Sequence, residues 1–136
     1  MHHFSLSHIL PHLIDLAIAY ILAVPIGWDR ERSAKSAGLR TFPLVSIACC
    51  GFVVAPEHLN DDNLTRVVQG IVGGIGFIGA GAILRQGEAV TGTATAASVL
   101  ATGAVGVAVG IGAYDVGVII SLLTFVTLRY LKRMNQ

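Results

Sequence analysis

The chain has 136 residues, 54% of them hydrophobic and only 12% charged, with a net charge of +1. Soluble domains carry about 25% charged residues, so this chain cannot coat a water-exposed surface, and the near-neutral balance excludes nucleic acid as a main partner. An all-α integral membrane protein is predicted: one transmembrane domain over 1–136, a compact bundle of about five helices with Gly/Ala-rich interfaces, surrounded by lipid bilayer and expected to carry no soluble domain.

In chain order, the first eleven residues contain His2, His3 and His8, with His12 just beyond. His-rich tracts bind metal in some proteins. No carboxylate or thiol accompanies these histidines, and a polar extension at the membrane interface is the favoured reading. No Lys or Arg precedes Leu13, so the positive n-region of a secretory signal is missing and the first apolar run is expected to remain in the mature chain. The first span is placed at 9–28, ending on Trp28 as an interfacial aromatic. Asp15 lies inside it. An ionisable group there is costly and normally faces the bundle interior or a water cavity; the readings open to it are a cation or proton site, or a carboxylate at headgroup level. A strongly charged segment follows, Asp29 to Arg40. The second span, 41–56, is short for a ~30 Å hydrocarbon core at ~1.5 Å per residue. Cys49 and Cys50 are adjacent, unsuited to a disulfide, and read as small apolar filler. Glu57 to Arg66 is polar and acidic and is expected as a loop leading into the third span, 64–84. A polar turn, a fourth span at 94–112, a brief turn at Tyr114, a fifth span at 116–130 and a basic tail complete the chain.

The third span is dominated by glycine: six of the twelve residues from Gly70 to Gly81. Each would cost about 0.8–1 kcal/mol relative to Ala in a soluble helix. In lipid the backbone must satisfy itself whatever the side chains, and small residues let helices approach. This helix is therefore expected to be buried on several sides and to organise the bundle. Gly70, Gly74 and Gly81 share one face, while Gly73, Gly76 and Gly79 sweep round the other. In the fourth span Ala96, Gly103 and Gly110 recur every seven residues, with Gly106 beside them. The short connection makes the two spans antiparallel neighbours, so one glycine face of the third is expected to meet the fourth. The other needs a second partner, from this chain or a second protomer. Gly74, Gly76 and Gly79 also match the dinucleotide pattern G-x-G-x-x-G, but no strand precedes them and no acid follows at the required spacing, so nucleotide binding is set aside. Gln69, Thr93, Thr95 and Ser98 are expected to hydrogen-bond between helices.

Charge supplies orientation. Arg30, Arg32, Lys35, Arg40, Arg85, Arg129, Lys132 and Arg133 fall on one side if all five segments cross, and Arg66 alone on the other. The positive-inside rule then places the N-terminus outside and the C-terminus in the cytoplasm. If the first helix continues past Trp28, Asp29 and Arg32 pair one turn apart, as do Glu31 and Lys35, and these rim charges meet Arg40 and Arg85. The simpler reading by composition is a solvated loop that carries the topology signal. No nucleophile with a base, HExxH or paired-carboxylate arrangement is present; an enzyme is not expected, nor any cofactor or metal site, Asp15 and Glu31 being the nearest metal candidates.

Three segments in this order carry a resemblance: Gly27-Trp-Asp-Arg-Glu-Arg32 leading to Ala37-Gly-Leu-Arg-Thr-Phe-Pro-Leu-Val45; Arg66-Val-Val-Gln-Gly-Ile-Val-Gly-Gly-Ile-Gly-Phe-Ile-Gly-Ala-Gly-Ala-Ile83; and Gly92-Thr-Ala-Thr-Ala-Ala-Ser98. The chain resembles the MgtC/SapB family of bacterial inner-membrane proteins over residues ~20 to ~112. The resemblance implies a multi-span inner-membrane protein linked to growth in low magnesium and to survival inside macrophages. It also implies regulation of other membrane proteins, notably restraint of the proton-translocating ATP synthase. Family positions carried over are Asp29, Arg30, Glu31, Ala37, Gly38, Leu39, Arg40 and Thr41, the glycine run and Thr95, which makes the rim an ion-pair or contact site rather than a topology signal alone. Asp29 stands where the family usually has Glu, Phe42 where it often has His, and Ala94 where it often has Thr. Longer members carry a cytoplasmic domain after the last span that this chain is expected to lack.

The leading expectation is a non-enzymatic regulator acting by helix packing on other inner-membrane proteins, through Gly70, Gly74, Gly76, Gly79, Gly81, Gly103, Gly106 and Gly110 and the rim Asp29, Arg30, Glu31, Arg40, Thr41 and Arg85. The alternatives are a magnesium or other cation transporter or channel subunit using Asp15, Gln69 and Glu31, and a homodimeric or larger homo-oligomeric scaffold. Sparse carboxylates weigh against the transporter, because Mg²⁺ prefers octahedral all-oxygen surroundings.

Overall fold

The computed structural model describes residues 5–33, 35, 37–56 and 58–131, and at 84–86 it describes the backbone. Five helices follow one another: α1 (Leu6–Arg32), α2 (Thr41–Val54), α3 (Asp61–Ala82), α4 (Thr93–Gly110) and α5 (Tyr114–Val126), which runs on as one wide π-turn, Thr127–Leu131. Between α3 and α4 stands a small antiparallel hairpin, β1 (Leu84–Gln86) and β2 (Ala89–Thr91), with Arg85 opposite Val90. Four helices are long and apolar enough to cross a membrane: α1, α3, α4, and α5 with its extension. At 14 residues, α2 is about 21 Å long.

The distribution of side chains is that of an all-α membrane protein. Large apolar groups face outward, with Ile21 65%, Phe52 61%, Phe77 84% and Leu122 60% exposed, while much of the interior is small: Ala19, Ala23, Ser46, Cys50 and Thr102 are fully buried. Lipid tails solvate Leu and Phe as well as a protein core does, so the helices associate instead through close packing and a few hydrogen bonds. Ser46 donates to the carbonyl of Ala19 at 2.7 Å, and Ser121 to that of Leu22 at 2.6 Å, tying α2 and α5 to α1. Ser98 and Thr102 bond back to their own helix, at Ala94 and Ser98, and do not link helices.

The centre of the bundle is α4, not α3. α4 packs on each of the other four helices, and half of its membrane window is buried, against 11% for α3. The expectation that the glycine-dense helix would be enclosed on several sides is thus overturned. α3 buries only Ile71, Ile75, Gly79 and Ala82, one residue per turn, and lies at the bundle's edge. The α4 stripe meets the glycines of α3 at its near end only, where Ala96 faces Gly79; further along, at Gly106 and Gly110, it faces another helix. A Cβ on Gly106 would collide with the carbonyl oxygen of Ser46 and come within 3.0 Å of Cys49 Cβ, and one on Gly110 would lie 3.2 Å from the carbonyl of Cys50. The groove that these glycines make is occupied by α2. Cys49 and Cys50 are buried free thiols, filler as their context predicts.

Element ends follow local chemistry. Asn60 caps α3 by accepting from the Asn63 amide at 2.8 Å, and Asp61 and Asp62 occupy its first turn, where carboxylates complement the helix dipole. α3 therefore begins at Asp61, three residues before the predicted start, inside the stretch expected as a loop. At the other end Gly92 has φ +90°, and a Cβ there would strike the carbonyl of Ala82. Only glycine lets the hairpin close on the end of α3 while opening α4.

Candidate functional site

The charged segment after Trp28 is helix rather than loop, because α1 runs to Arg32. Arg30 and Arg32 sit in its last turn, where the dipole favours cations. The continuation carries Asp29 and Arg30 into the bundle, 6% and 2% exposed. Arg30 donates to Asp29 Oδ2 from Nη2 at 2.8 Å and Nε at 3.3 Å, and Nη1 makes a long 3.5 Å contact with Thr95 Oγ1 on α4. A buried guanidinium is tolerable only when paired; here its counter-ion is the adjacent residue. The expected Asp29–Arg32 pair does not form. Arg32 instead lies over the Trp28 ring at 4.8 Å.

Glu31 takes a different role from the predicted pairing with Lys35. Its carboxylate accepts the Leu39 amide at 3.2 Å, and a Cβ on Gly38 would collide with that carboxylate. Gly27 gives the same loop room on α1, since a Cβ there would be 3.1 Å from the carbonyl of Gly38. That carbonyl in turn accepts the amides of Thr41 and Phe42, opening α2. The segment Ala37–Thr41 is therefore a strap clipped across α1 by Glu31, and Phe42 behind it is fully buried. Arg40 is exposed and makes no ion pair among the described residues, so its expected pairing with the rim carboxylates is absent. The side chain of Arg85 lies outside the described residues.

A concrete expectation follows. Glu31→Ala should raise the exchange rate of the Leu39 amide hydrogen by about tenfold or more, since a charge-assisted bond contributes ~1.5–3 kcal/mol. Hydrogen exchange by mass spectrometry over 37–45 measures it. Unchanged exchange would remove Glu31 as the clip.

At the opposite end Asp15 is half-buried and accepts a short hydrogen bond from Tyr114 at the start of α5. With His12 it lines a cleft of about 430 Å³ beside Val53, Pro56 and Leu64. His8 and His12 are exposed residues of α1, while His2 and His3 lie outside the described residues. Gln69 is exposed on α3 and bonds no neighbouring helix. Among the described residues, no three His, Cys, Asp or Glu side chains come together as a metal set. Of the glycines on α3, Gly79 faces α4, 3.6 Å from Ala96, whereas Gly70, Gly73, Gly74, Gly76 and Gly81 meet nothing within 4 Å of where a Cβ would stand. Beside them, between α2 and α3, runs an apolar groove of about 500 Å³ floored by Cys49, Ile71 and Ile75. Sequence reasoning missed the bonds of Ser46 and Ser121, which look like any small residue in a span, and the contact of Arg129 with Trp28, which depends on the π-turn.

Fold and rim together define a multi-span helical membrane protein whose buried Asp–Arg pair and glycine-lined strap lock one end of the bundle. The chain belongs to the MgtC family, whose profile matches residues 16–136. It is 35% identical to SrpB of Synechococcus elongatus over 89% of this chain and 75% of that protein. It is 35% identical to MgtC of Salmonella typhimurium over 93% of this chain and 56% of that one. To the Escherichia coli protein called putative magnesium transporter YhiD it is 32% identical, over 90% of this chain and 61% of that one. The chain thus spans little more than half the length of MgtC and YhiD. No solved structure matches it significantly.

Proposed function

We propose that this protein is a non-enzymatic component of the bacterial inner membrane that regulates other membrane proteins through helix–helix contacts in support of growth at low magnesium. Among such partners the proton-translocating ATP synthase is the first to test. The carrying observation is the outer face of α3, where five glycines are open in a bundle whose other glycine stripe is filled. Glycine in a membrane helix gains its advantage from a closely approaching neighbour, and for these five that neighbour is a helix of another molecule. The lopsided basic charge supports an N-terminus outside and a C-terminus in the cytoplasm.

Gly74→Leu adds a side chain to this face where the first added carbon meets nothing within 4 Å. We expect crosslinks from a photoreactive group at residue 73 to a partner in native membranes to fall at least tenfold, with insertion and melting unchanged. Crosslinks at wild-type level would sink the contact reading, and crosslinks to a second copy of this chain would turn it into a homo-oligomeric scaffold. A magnesium-transport reading has less support. Asp15 and Glu31 stand 16 residues apart on α1, about 24 Å along the helix, and Gln69 is exposed on α3, so nothing joins the three into a common path within one protomer.

A further inference from the structure

Two arginines converge on one tryptophan at the basic end. Arg32 lies 4.8 Å from the Trp28 ring centroid, and Arg129 lies 5.6 Å from it and 5.9 Å from that of Phe125. All three of Trp28, Arg32 and Arg129 are exposed. The wide turn Thr127–Leu131 brings Arg129 there, and such π-turns are rare and recur at functional sites. Like charges gathered on one ring repel each other, and the ring's quadrupole offsets only part of that, about 0.5–1 kcal/mol per contact at an exposed position. The carboxylates nearest in sequence are engaged elsewhere: Asp29 holds Arg30 and Glu31 holds the Leu39 amide. Neither arginine is ion-paired with a carboxylate among the described residues. Lys132 and Arg133 follow in the sequence and add charge of the same sign.

We infer that Arg32, Arg129 and Trp28 form a binding site for the phosphate headgroup of an anionic phospholipid. Guanidinium groups bind phosphate through directed pairs of hydrogen bonds, and tryptophan sits at headgroup depth. Basic residues at the cytoplasmic ends of membrane helices attract anionic lipid in the same way. The surface below fits acyl chains. Seven residues from Trp28 on the same face of α1 stands Ile21, 65% exposed, and on the neighbouring α5 Leu122 is 60% exposed. A lipid here would bridge the exposed ends of α1 and α5, beyond the buried contacts that already join them.

Trp28 is the chain's single tryptophan, so its fluorescence reports the site directly. The full chain is placed in nanodiscs of phosphatidylcholine, with phosphatidylglycerol or additional phosphatidylcholine brominated near the headgroup end of the acyl chain. Brominated phosphatidylglycerol should quench Trp28 well beyond its mole fraction, and brominated phosphatidylcholine only in proportion. R32Q and R129Q should each reduce the excess about fivefold, and the double variant should abolish it. R66Q, on the other side of the bundle, should leave it intact. Helix content should be unchanged in all, since these side chains lie on the surface. Equal quenching by the two lipids, or an excess that survives in the double variant, overturns the inference. Loss of the excess on adding millimolar inorganic phosphate overturns the lipid assignment in favour of a soluble-anion site.

Discussion

Arg30→Ala is expected to be the most damaging single substitution in the protein, costing about 3–5 kcal/mol. The loss is not mainly that of a contact. Asp29 is 6% exposed, and without the guanidinium its carboxylate remains buried beside α4 with no counter-charge. Asp29→Asn should be nearly as harmful, because it strands a cation at 2% exposure. The pair Asp29→Leu with Arg30→Met should recover most of the loss, since a buried ion pair replaced by apolar groups of similar volume is often neutral. Thermal melting in one detergent of wild type, Asp29→Leu, Arg30→Met and the double variant, run as a double-mutant cycle, measures the coupling. Additive losses, with no recovery in the pair, would mean that Asp29 and Arg30 act independently. Thr95→Val should cost little, because its contact with Arg30 is long.

The second large effect separates two kinds of glycine. Gly106→Leu should destabilise the bundle by about 3 kcal/mol or more, at and beyond the upper end of the usual overpacking range, because even the first added carbon meets the Ser46 carbonyl. Backbone cannot give way as a side-chain tip can, so α2 must leave the groove of α4. Gly103 is intermediate: its added Cβ meets the end of the Ile75 side chain, which can turn aside at some cost in packing on α3. Gly74→Leu should melt within a degree or two of wild type, since nothing stands within 4 Å. Melting curves on the three variants decide it. If Gly74→Leu unfolds the protein and Gly106→Leu does not, the assignment of inner and outer glycines is reversed.

Fold class was legible because charge is scarce and apolar runs have spanning length, both properties of composition. The family was legible from the motifs around Gly27, Gly38 and the glycine run. Periodicity placed Gly103, Gly106 and Gly110 on one stripe but could not name what fills it. Every small-residue face looks alike in sequence; the short connection makes α3 and α4 neighbours, as Gly79 against Ala96 shows, but it does not say that α2 fills the rest of the stripe. α2 reaches the groove because its own small residues, Ser46, Cys49 and Cys50, match it. At the rim, helical spacing proposed Asp29 with Arg32, the pairing of an exposed helix face. Burial changes the geometry: both Asp29 and Arg30 turn inward, where adjacent residues can meet. The Asn60-Asp-Asp62 cap opens α3 inside a stretch that polarity alone marks as a loop.

The shortness of α2 has an electrical consequence. It spans about 21 Å where a hydrocarbon core is ~30 Å, and beyond its C-terminal end lies the cleft lined by His12 and Asp15. The bundle is thus a dielectric of uneven thickness. Where water fills that cleft, a membrane potential worth ~2.3 kcal/mol per charge per 100 mV drops over a shorter path, and the local field is steeper by up to roughly 1.4-fold from the ratio of the two lengths. The Asp29–Arg30 pair stands at one edge of that region and Asp15 at the other. Asp29 and Arg30 offset each other as an ion pair, so of these groups the Asp15 carboxylate is the one that meets this field as a net charge.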